Sequence, residues 1–207
     1  MISEEQNSAT PPLYGLVLAG GRSVRMGQDK TTMHWHGREQ RYHLADMLGA
    51  FCNRVFISCR QEQANEIDPA YPVLPDSVEG SGPIVALMSA FSLYPDAAWL
   101  VVACDLPLLD AGTISSLVDS RDAGCMATTF ISPFDGLPEP LITIWEPGAA
   151  SVLTEHLSAG FKCPRKALIR NSHQVKLLSP ANTDALLNAN TPADREQANS
   201  KLHSRLQ

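Results

Sequence analysis

The chain has 207 residues, of which 44% are hydrophobic and 18% charged, with a formal net charge of −6. This composition is typical of a globular protein with a buried core and excludes a disordered chain. The acidic balance argues against a nucleic-acid-binding protein, which normally presents a basic face. Any bound phosphate must therefore be held by a few placed cations and backbone amides.

The cysteines and the first residues indicate a cytoplasmic protein. Five cysteines, an odd number with no Cys-x-x-Cys pair, predict reduced thiols that mostly fill the core: Cys52, Cys59, Cys104, Cys125 and Cys163. No apolar run approaches the roughly 20 residues of a membrane helix, so no membrane partner is expected. Residues 1–12 are polar and acidic with two prolines, which predicts a disordered lead rather than a signal peptide. Residues 13–207 are predicted to form one domain, because no linker or repeat interrupts them.

Short apolar runs alternate with helix-like segments along the chain. Strands are predicted at residues 14–18, 54–58, 71–74, 99–103, 125–130, 141–144 and 175–178. Helices are predicted at 40–51, 61–67, 83–94, 111–120, 148–159 and 165–171, and after Pro192. This alternation predicts an α/β fold with three layers and a mostly parallel, doubly wound sheet.

Ligands in such folds bind beyond the carboxyl ends of the strands, so the loops that follow Leu18, Ser58, Leu74 and Ala103 are the candidate site. The run 99–103 is wholly apolar, as expected of a central strand that is covered on both faces.

The loop after the first strand, residues 18–30, has the composition of a phosphate-binding loop. Gly20 and Gly21 let backbone amides approach a ligand closely, while Arg25 could grip phosphate oxygens as a fork and Lys30 could act as a point charge. Neither the P-loop nor the dinucleotide-binding pattern is present. A flexible turn with surface charges is the alternative interpretation.

Two aspartates follow predicted strands. Asp105 comes directly after the central strand, where a carboxylate needs a cation or hydrogen-bond donors. Mg²⁺ is commonly held by one or two carboxylates together with phosphate and water, which makes Asp105 a candidate metal ligand. The alternative for Asp105 is an N-cap of the next helix. Asp76 follows the third strand, and its alternative is a turn aspartate.

Residues 18–30 resemble the signature Leu-Ala-Gly-Gly-x-Ser-x-Arg-Met-Gly-x-Asp-Lys of the molybdenum cofactor guanylyltransferase family of nucleotidyltransferases. Further similar patches are Cys104-Asp105-Leu106-Pro107, Gly82-Pro83-Ile84, the Asp-Gly-x-Pro-Glu-Pro-Leu stretch at 135–141, and Asn-x-Asn-Thr-Pro-x-Asp at 188–194. The resemblance therefore spans nearly the whole chain. It implies a Rossmann-like fold of the nucleotide-diphospho-sugar transferase type.

The resemblance also implies roles for individual residues. It implies nucleotide contacts from Leu18, Ala19, Gly20, Gly21, Lys30, Ser58, Asp76 and Asp105. It implies catalytic roles for Arg25, Lys30 and Asp105, with Mg²⁺ held by Asp105, and acceptor contacts from Asn188 and Asn190. Two departures stand out: Ser58 lies where guanylyltransferases can carry an asparagine, and Ala86 replaces a glycine of the family pattern.

The implied activity is transfer of GMP from GTP to molybdenum-molybdopterin, with release of pyrophosphate. GTP and molybdopterin would be the small-molecule partners, and molybdenum cofactor assembly enzymes the protein partners. The glycine pair after Ala19 favours guanine over cytosine. The alternatives are a molybdopterin cytidylyltransferase, a sugar-phosphate nucleotidyltransferase, and a nucleotide-binding partner protein without turnover.

Two further groups have competing interpretations. His34 and His36 could form a metal pair, but simple alternation on a strand or loop is the favoured interpretation. Lys162, Arg165 and Lys166 could receive an acceptor phosphate, but a solvated helix end is favoured.

Overall fold

The computed structural model describes residues 10–20, 33–78 and 82–205. Its strands are β1 (Leu13–Leu18), β2 (Arg54–Cys59), β3 (Val73–Pro75), β4 (Ala98–Ala103), β5 (Ala127–Ile131), β6 (Pro138–Trp145) and β7 (Val175–Leu178). Its α-helices are α1 (Gln40–Gly49), α2 (Pro83–Leu93), α3 (Ala111–Asp119), α4 (Ala149–Ser158), α5 (Pro164–Arg170) and α6 (Pro192–Arg205). Short 3₁₀ helices lie at Gln61–Glu66, Ser172–Gln174 and Thr183–Leu186.

The strands form one sheet in the order β3-β2-β1-β4-β6-β5-β7. β6 is antiparallel to β4 and β5, and the other neighbouring pairs are parallel. From β1 the chain builds outward to β2 and β3 on one side, then crosses to β4 on the other. The strand order reverses between β1 and β4, so a ligand crevice is expected at their carboxyl ends.

Apolar side chains alternate between the two faces of the sheet and fill two separate cores. Val17 and Leu100 belong to the core under α1 and α3, whereas Leu16 and Val101 belong to the core under α2, α4 and α5. All six residues of β4 are buried, which explains why its sequence is apolar throughout. The prediction of a three-layer, mostly parallel α/β fold is confirmed.

A glycine in β1 allows α1 to approach the sheet closely. A Cβ atom placed on Gly15 would lie 3.1 Å from Cδ1 of Leu48 on α1 and 3.2 Å from Cγ2 of Val55 on β2. Even one methyl group would therefore crowd the interface between the helix and the sheet. This close packing holds the C-terminal turn of α1 against the first half of β1 and β2.

Three local predictions differ from the structure. The segment at Gln61–Glu66 is a 3₁₀ helix rather than an α-helix. β6 begins at Pro138 and runs antiparallel, because the turn after β5 closes within a few residues through Gly136 at a φ of 71°. The prolines at 138 and 140 concealed the start of this strand, since proline cannot donate to a ladder. The 3₁₀ turn at Thr183–Leu186 was not predicted.

The cysteines are free, and three of the five, Cys52, Cys59 and Cys104, lie in or against the core, as predicted. Cys59 and Cys104 are buried, Cys52 and Cys125 are half-buried, and Cys163 is exposed. Burial raises the pKa of the Cys52 thiol to about 12 and, together with nearby Asp76, that of Cys59 to about 11.

Within the described ranges, no helix is long and apolar enough to cross a membrane.

Candidate functional site

The carboxyl ends of the central strands meet at one edge of the sheet. Leu18 at the end of β1 is in register with Ser58 on β2 and with Ala103 on β4. The backbone N–H of Ala19 donates to the Ser58 carbonyl at 2.9 Å, which holds the start of the glycine loop against β2. The loop and the residues after Ala103 therefore leave the sheet side by side.

Gly20 lies over the end of β2 with room to spare. A Cβ atom placed on it would lie 3.6 Å from Cα of Cys59, an ordinary van der Waals separation. The described packing therefore does not itself require glycine at position 20.

Ser58 and Asp76 form a polar pair at the ends of β2 and β3. Ser58 is 1% exposed, and its Oγ donates to Oδ1 of Asp76 at 3.4 Å. Burial raises the pKa of the Asp76 carboxyl above its ordinary value, and the hydrogen bond from Ser58 partly opposes that rise. The Ser58 hydroxyl is thus directed at Asp76, and its direct contact with a nucleotide remains a prediction.

Asp105 lies two residues beyond the end of β4 and is half-buried. Its carbonyl accepts a hydrogen bond from the Ala189 N–H at 2.8 Å. Nδ2 of Asn188 lies 3.3 Å from both carboxylate oxygens, in the amide orientation that hydrogen bonding requires. The segment before α6 therefore positions both the backbone and the carboxylate of Asp105.

The N-cap alternative for Asp105 is wrong. Helix α3 is capped by Asp110, whose side chain accepts from the Thr113 N–H at 2.8 Å. Asp110 also accepts a hydrogen bond from Nδ2 of Asn182 at 2.6 Å. The capping function thus belongs to the far end of the loop, and Asp105 lies at its start, two residues after Ala103, which is in register with Leu18.

The donor set at Asp105 fits Mg²⁺ that arrives with a nucleotide. Among the residues described, no group of three or more His, Cys, Asp and Glu side chains could hold a metal ion. Mg²⁺ in nucleotide enzymes is usually bound by one or two carboxylates, with phosphates and water as the remaining ligands. One oriented carboxylate therefore suits an ion that the nucleotide shares. Among the described contacts of His36 are the hydrogen bond to the Pro107 carbonyl and the stacking on the His43 ring.

The motif before α6 is held by a reciprocal cap. The N–H of Asp194 donates to Oγ1 of Thr191 at 3.2 Å, and Oδ2 of Asp194 accepts from the N–H groups of Asn190 and Thr191 at 2.9 and 2.8 Å. This cap fixes the backbone that presents Asn188 to Asp105. Asn190 is exposed. Acceptor binding by the two asparagines remains a prediction.

Of the three basic residues near α5, Lys162 and Lys166 are exposed, as expected of a solvated helix end, whereas Arg165 is half-buried in ion pairs. Its guanidinium donates to Oδ2 of Asp135 at 2.6 Å and to Oε2 of Glu139 at 3.1 Å. A backbone hydrogen bond from Leu137, and then this ion pair, hold the pKa of the Asp135 carboxyl below its ordinary value. Arg165 therefore ties α5 to the turn between β5 and β6.

The structure thus brings together residues 18–20, Ser58, Asp76, Asp105 and Asn188 at one edge of the sheet. Gly21, Arg25 and Lys30 lie outside the described residues, and their roles remain predictions from the sequence.

Sequence reasoning missed two residues that hold the loop of Asp105, His36 and Gln40. They bond to backbone carbonyls 71 and 66 residues away, and no pattern in the sequence indicates such contacts.

The sequence of this chain is similar to those of known proteins along most of its length. The chain matches the MobA-like NTP transferase domain over residues 15–176. It is 34% identical to a molybdenum cofactor biosynthesis bifunctional protein of Synechocystis over 91% of this chain and 54% of that protein, so it spans about half of that relative. It is 31% identical to a molybdenum cofactor guanylyltransferase of Pseudomonas putida, over 89% of this chain and 96% of the relative.

A solved structure supports the same fold. The molybdopterin-guanine dinucleotide biosynthesis protein A of Archaeoglobus fulgidus superposes with a TM-score of 0.75 at 24% identity, covering 92% of this chain and 99% of the other. The family match covers the strands and the loops at which the predicted nucleotide contacts lie. The chain therefore belongs to the MobA-like NTP transferase family.

Proposed function

We propose that this chain transfers GMP from GTP to molybdenum-molybdopterin and releases pyrophosphate. The observation that carries the proposal is that residues 18–20, which begin the glycine loop, and Asp105 follow β1 and β4 at their switch point, with Asn188 beside both oxygens of the Asp105 carboxylate. The relative from Pseudomonas putida, which aligns along nearly all of its length, bears the name of this activity.

The reaction is an in-line displacement at the α-phosphorus of GTP. An oxygen of the terminal phosphate of molybdopterin forms the new bond to this phosphorus. The bond from the α-phosphorus to the bridging oxygen breaks, and pyrophosphate leaves with that electron pair. Such chemistry depends on positioning and on neutralisation of charge more than on a strong base.

Each residue of the site has a defined task in this proposal. Asp105 would hold Mg²⁺, which when bound neutralises charge on the phosphates. Asn188 would hold both oxygens of Asp105, and the pair of Ser58 and Asp76 would present polar groups to the nucleotide at the ends of β2 and β3. The sequence assigns Arg25 and Lys30, by resemblance, to the charge that builds up on the leaving pyrophosphate.

The proposal also includes the cellular setting. The reaction would take place in the cytoplasm, and the chain would work beside other molybdenum cofactor assembly enzymes. The Synechocystis relative supports this partnership, because it is named a bifunctional protein of molybdenum cofactor biosynthesis. Co-purification of the native protein from its own cells tests it, and recovery without such enzymes would contradict it.

The decisive experiment measures pyrophosphate release from GTP and Mg²⁺, with and without molybdopterin, and with CTP, UTP and ATP in parallel. Release that requires both GTP and molybdopterin supports the proposal. Release with CTP instead would assign the chain to cytidylyl transfer. Tight binding of GTP without pyrophosphate from any acceptor would favour the partner protein without turnover.

Variants connect the activity to the site. Asp105→Asn keeps the shape of the side chain but removes its charge, and we expect a loss of about 10²- to 10³-fold in kcat. Lys30→Ala should also lower kcat strongly. Asp119→Asn is the matched control, because Asp119 is exposed on α3 and the substitution makes the same change in charge. Full activity in both Asp105→Asn and Lys30→Ala would refute the site.

A further inference from the structure

The loop of residues 105–110 joins β4 to α3 and carries Asp105 at its start. Two consecutive carbonyls of this loop accept hydrogen bonds from side chains at the beginning of α1 and just before it. Nε2 of Gln40 donates to the Leu106 carbonyl at 3.2 Å, and Nε2 of His36 lies 2.9 Å from the Pro107 carbonyl. Since a carbonyl oxygen only accepts, the His36 ring carries a proton on Nε2. The two bonded carbonyls directly follow Asp105.

Gln40 makes this bond from a buried position. It is 1% exposed, and its Oε1 has no hydrogen-bond partner in the described part of the chain. A buried amide that leaves one polar atom unsatisfied lowers stability relative to an apolar side chain of similar size. What the amide provides in return is the hydrogen bond to Leu106. Gln40 therefore holds the loop through this hydrogen bond at a cost in stability.

His36 is exposed, and its ring is held by stacking instead of burial. The ring lies parallel to that of His43, with 3.9 Å between the centroids and 15° between the planes. Burial, followed by the proximity of His36, lowers the pKa of His43 to about 4, so His43 is neutral at physiological pH. Because His43 carries no charge, it offers the His36 ring a flat face without ionic repulsion.

We propose that His36 and Gln40 are positioning residues of the transfer reaction, which hold the Leu106 and Pro107 carbonyls and thereby set the position of Asp105. The inference rests on the proposed function of Asp105. The Ala189 N–H holds the Asp105 carbonyl from the side of α6, and the two side chains hold the next carbonyls from the side of α1. Asp105 is therefore fixed between two elements that are distant in sequence.

Paired substitutions remove the hydrogen bonds while preserving shape. His36→Phe keeps an aromatic ring on His43 but has no donor, and Gln40→Met is close in size and has no donor. His36→Gln should restore a donor and recover activity. His34→Phe is the control, since His34 is exposed two residues earlier and forms a backbone bridge with Glu39.

The expected result is a loss in kcat with little change in GTP affinity. A displaced catalytic group costs about 10²-fold in rate for a shift of about 1 Å. We therefore expect the double variant His36→Phe/Gln40→Met to lose about ten- to a hundredfold in kcat. Its KM for GTP should change less than about twofold, and the Mg²⁺ concentration for half-maximal activity should rise.

A second measurement needs neither nucleotide nor activity. Amide hydrogen exchange of residues 106–110 should accelerate in the double variant and remain unchanged in His34→Phe, while exchange within β4 stays as in the unmodified protein. An unchanged kcat in the double variant would overturn the inference, and so would unchanged exchange of the loop. A uniform rise in exchange across the chain would also overturn it, because it would indicate a merely structural role.

The two proposals can fail separately. An unmodified protein that releases no pyrophosphate with GTP and molybdopterin would refute the proposed function. In that case the exchange of residues 106–110 still decides whether His36 and Gln40 hold the loop. An active unmodified protein with an equally active double variant would refute the positioning role alone.

Discussion

Replacing Asn188 by leucine tests how the Asp105 carboxylate is held. In the sequence, Asn188 is a predicted acceptor contact, whereas in the structure its Nδ2 faces both oxygens of Asp105 at 3.3 Å. Leucine has a similar volume and cannot donate. The variant therefore removes both contacts without opening a space that water could fill.

The size of the effect follows from the geometry of these contacts. A hydrogen bond to a charged group contributes about 1.5–3 kcal/mol. At 3.3 Å the two contacts are long, and Asp105 is half-buried, so the lower end of this range applies. A loss of about 1.5 kcal/mol of transition-state stabilisation corresponds to roughly a tenfold fall in kcat/KM.

The assay is steady-state pyrophosphate release at varied Mg²⁺ and at varied acceptor concentration. If Asn188 orients Asp105, the loss lies in kcat and in the Mg²⁺ dependence, and KM for the acceptor stays constant. If Asn188 instead binds the acceptor, its KM rises and the Mg²⁺ dependence is unchanged, which would refute the reasoning from the structure. Gln197→Leu, exposed on α6, is the control for adding a leucine.

Three further predictions concern stability. Arg121 pairs with Glu146 through two hydrogen bonds of 2.6 and 2.9 Å in a nearly buried site. Arg121→Met should therefore lower the free energy of unfolding, measured by urea denaturation, by about 3–5 kcal/mol. A loss below about 1 kcal/mol would contradict this prediction. Burial raises the pKa of Asp76, so its charged form is disfavoured in the folded protein. Asp76→Asn should therefore raise the Tm at pH 7 while weakening GTP binding. A lower Tm would contradict the inference that the charged Asp76 carboxylate destabilises the folded protein. The pKa of His43 is about 4 in the folded protein and about 6.5 unfolded, so the unfolded chain binds the proton first as the pH falls. The free energy of unfolding should therefore decrease between pH 6.5 and 4, and an equally steep decrease in His43→Phe would show that another group causes it.

The strands and the edge of the sheet that holds the site were predictable because their signals are local. The uninterrupted apolar run of β4 reflects burial on both faces, and the position of Asp105 two residues after it places a carboxylate at the carboxyl edge. Thr191 and Pro192 mark the start of α6 through capping chemistry that acts within one turn. Each of these features depends on neighbours in the sequence, so periodicity and capping patterns reveal it.

Other features were decided only by the tertiary structure. The direction of β6 depends on the turn before it, and the pairing of Arg165 with Asp135 and Glu139 depends on how α5 packs against that turn. The contacts of Gln40 and His36 with the loop of Asp105 join residues 66 and 71 positions apart. The sequence by itself determined where the main strands and helices form and at which edge of the sheet the candidate site lies, because short-range sterics and burial set these. Packing between distant elements decided which side chains hold Asp105. Because every residue has a backbone carbonyl, the residue types of the loop do not indicate which of its carbonyls accept hydrogen bonds from side chains.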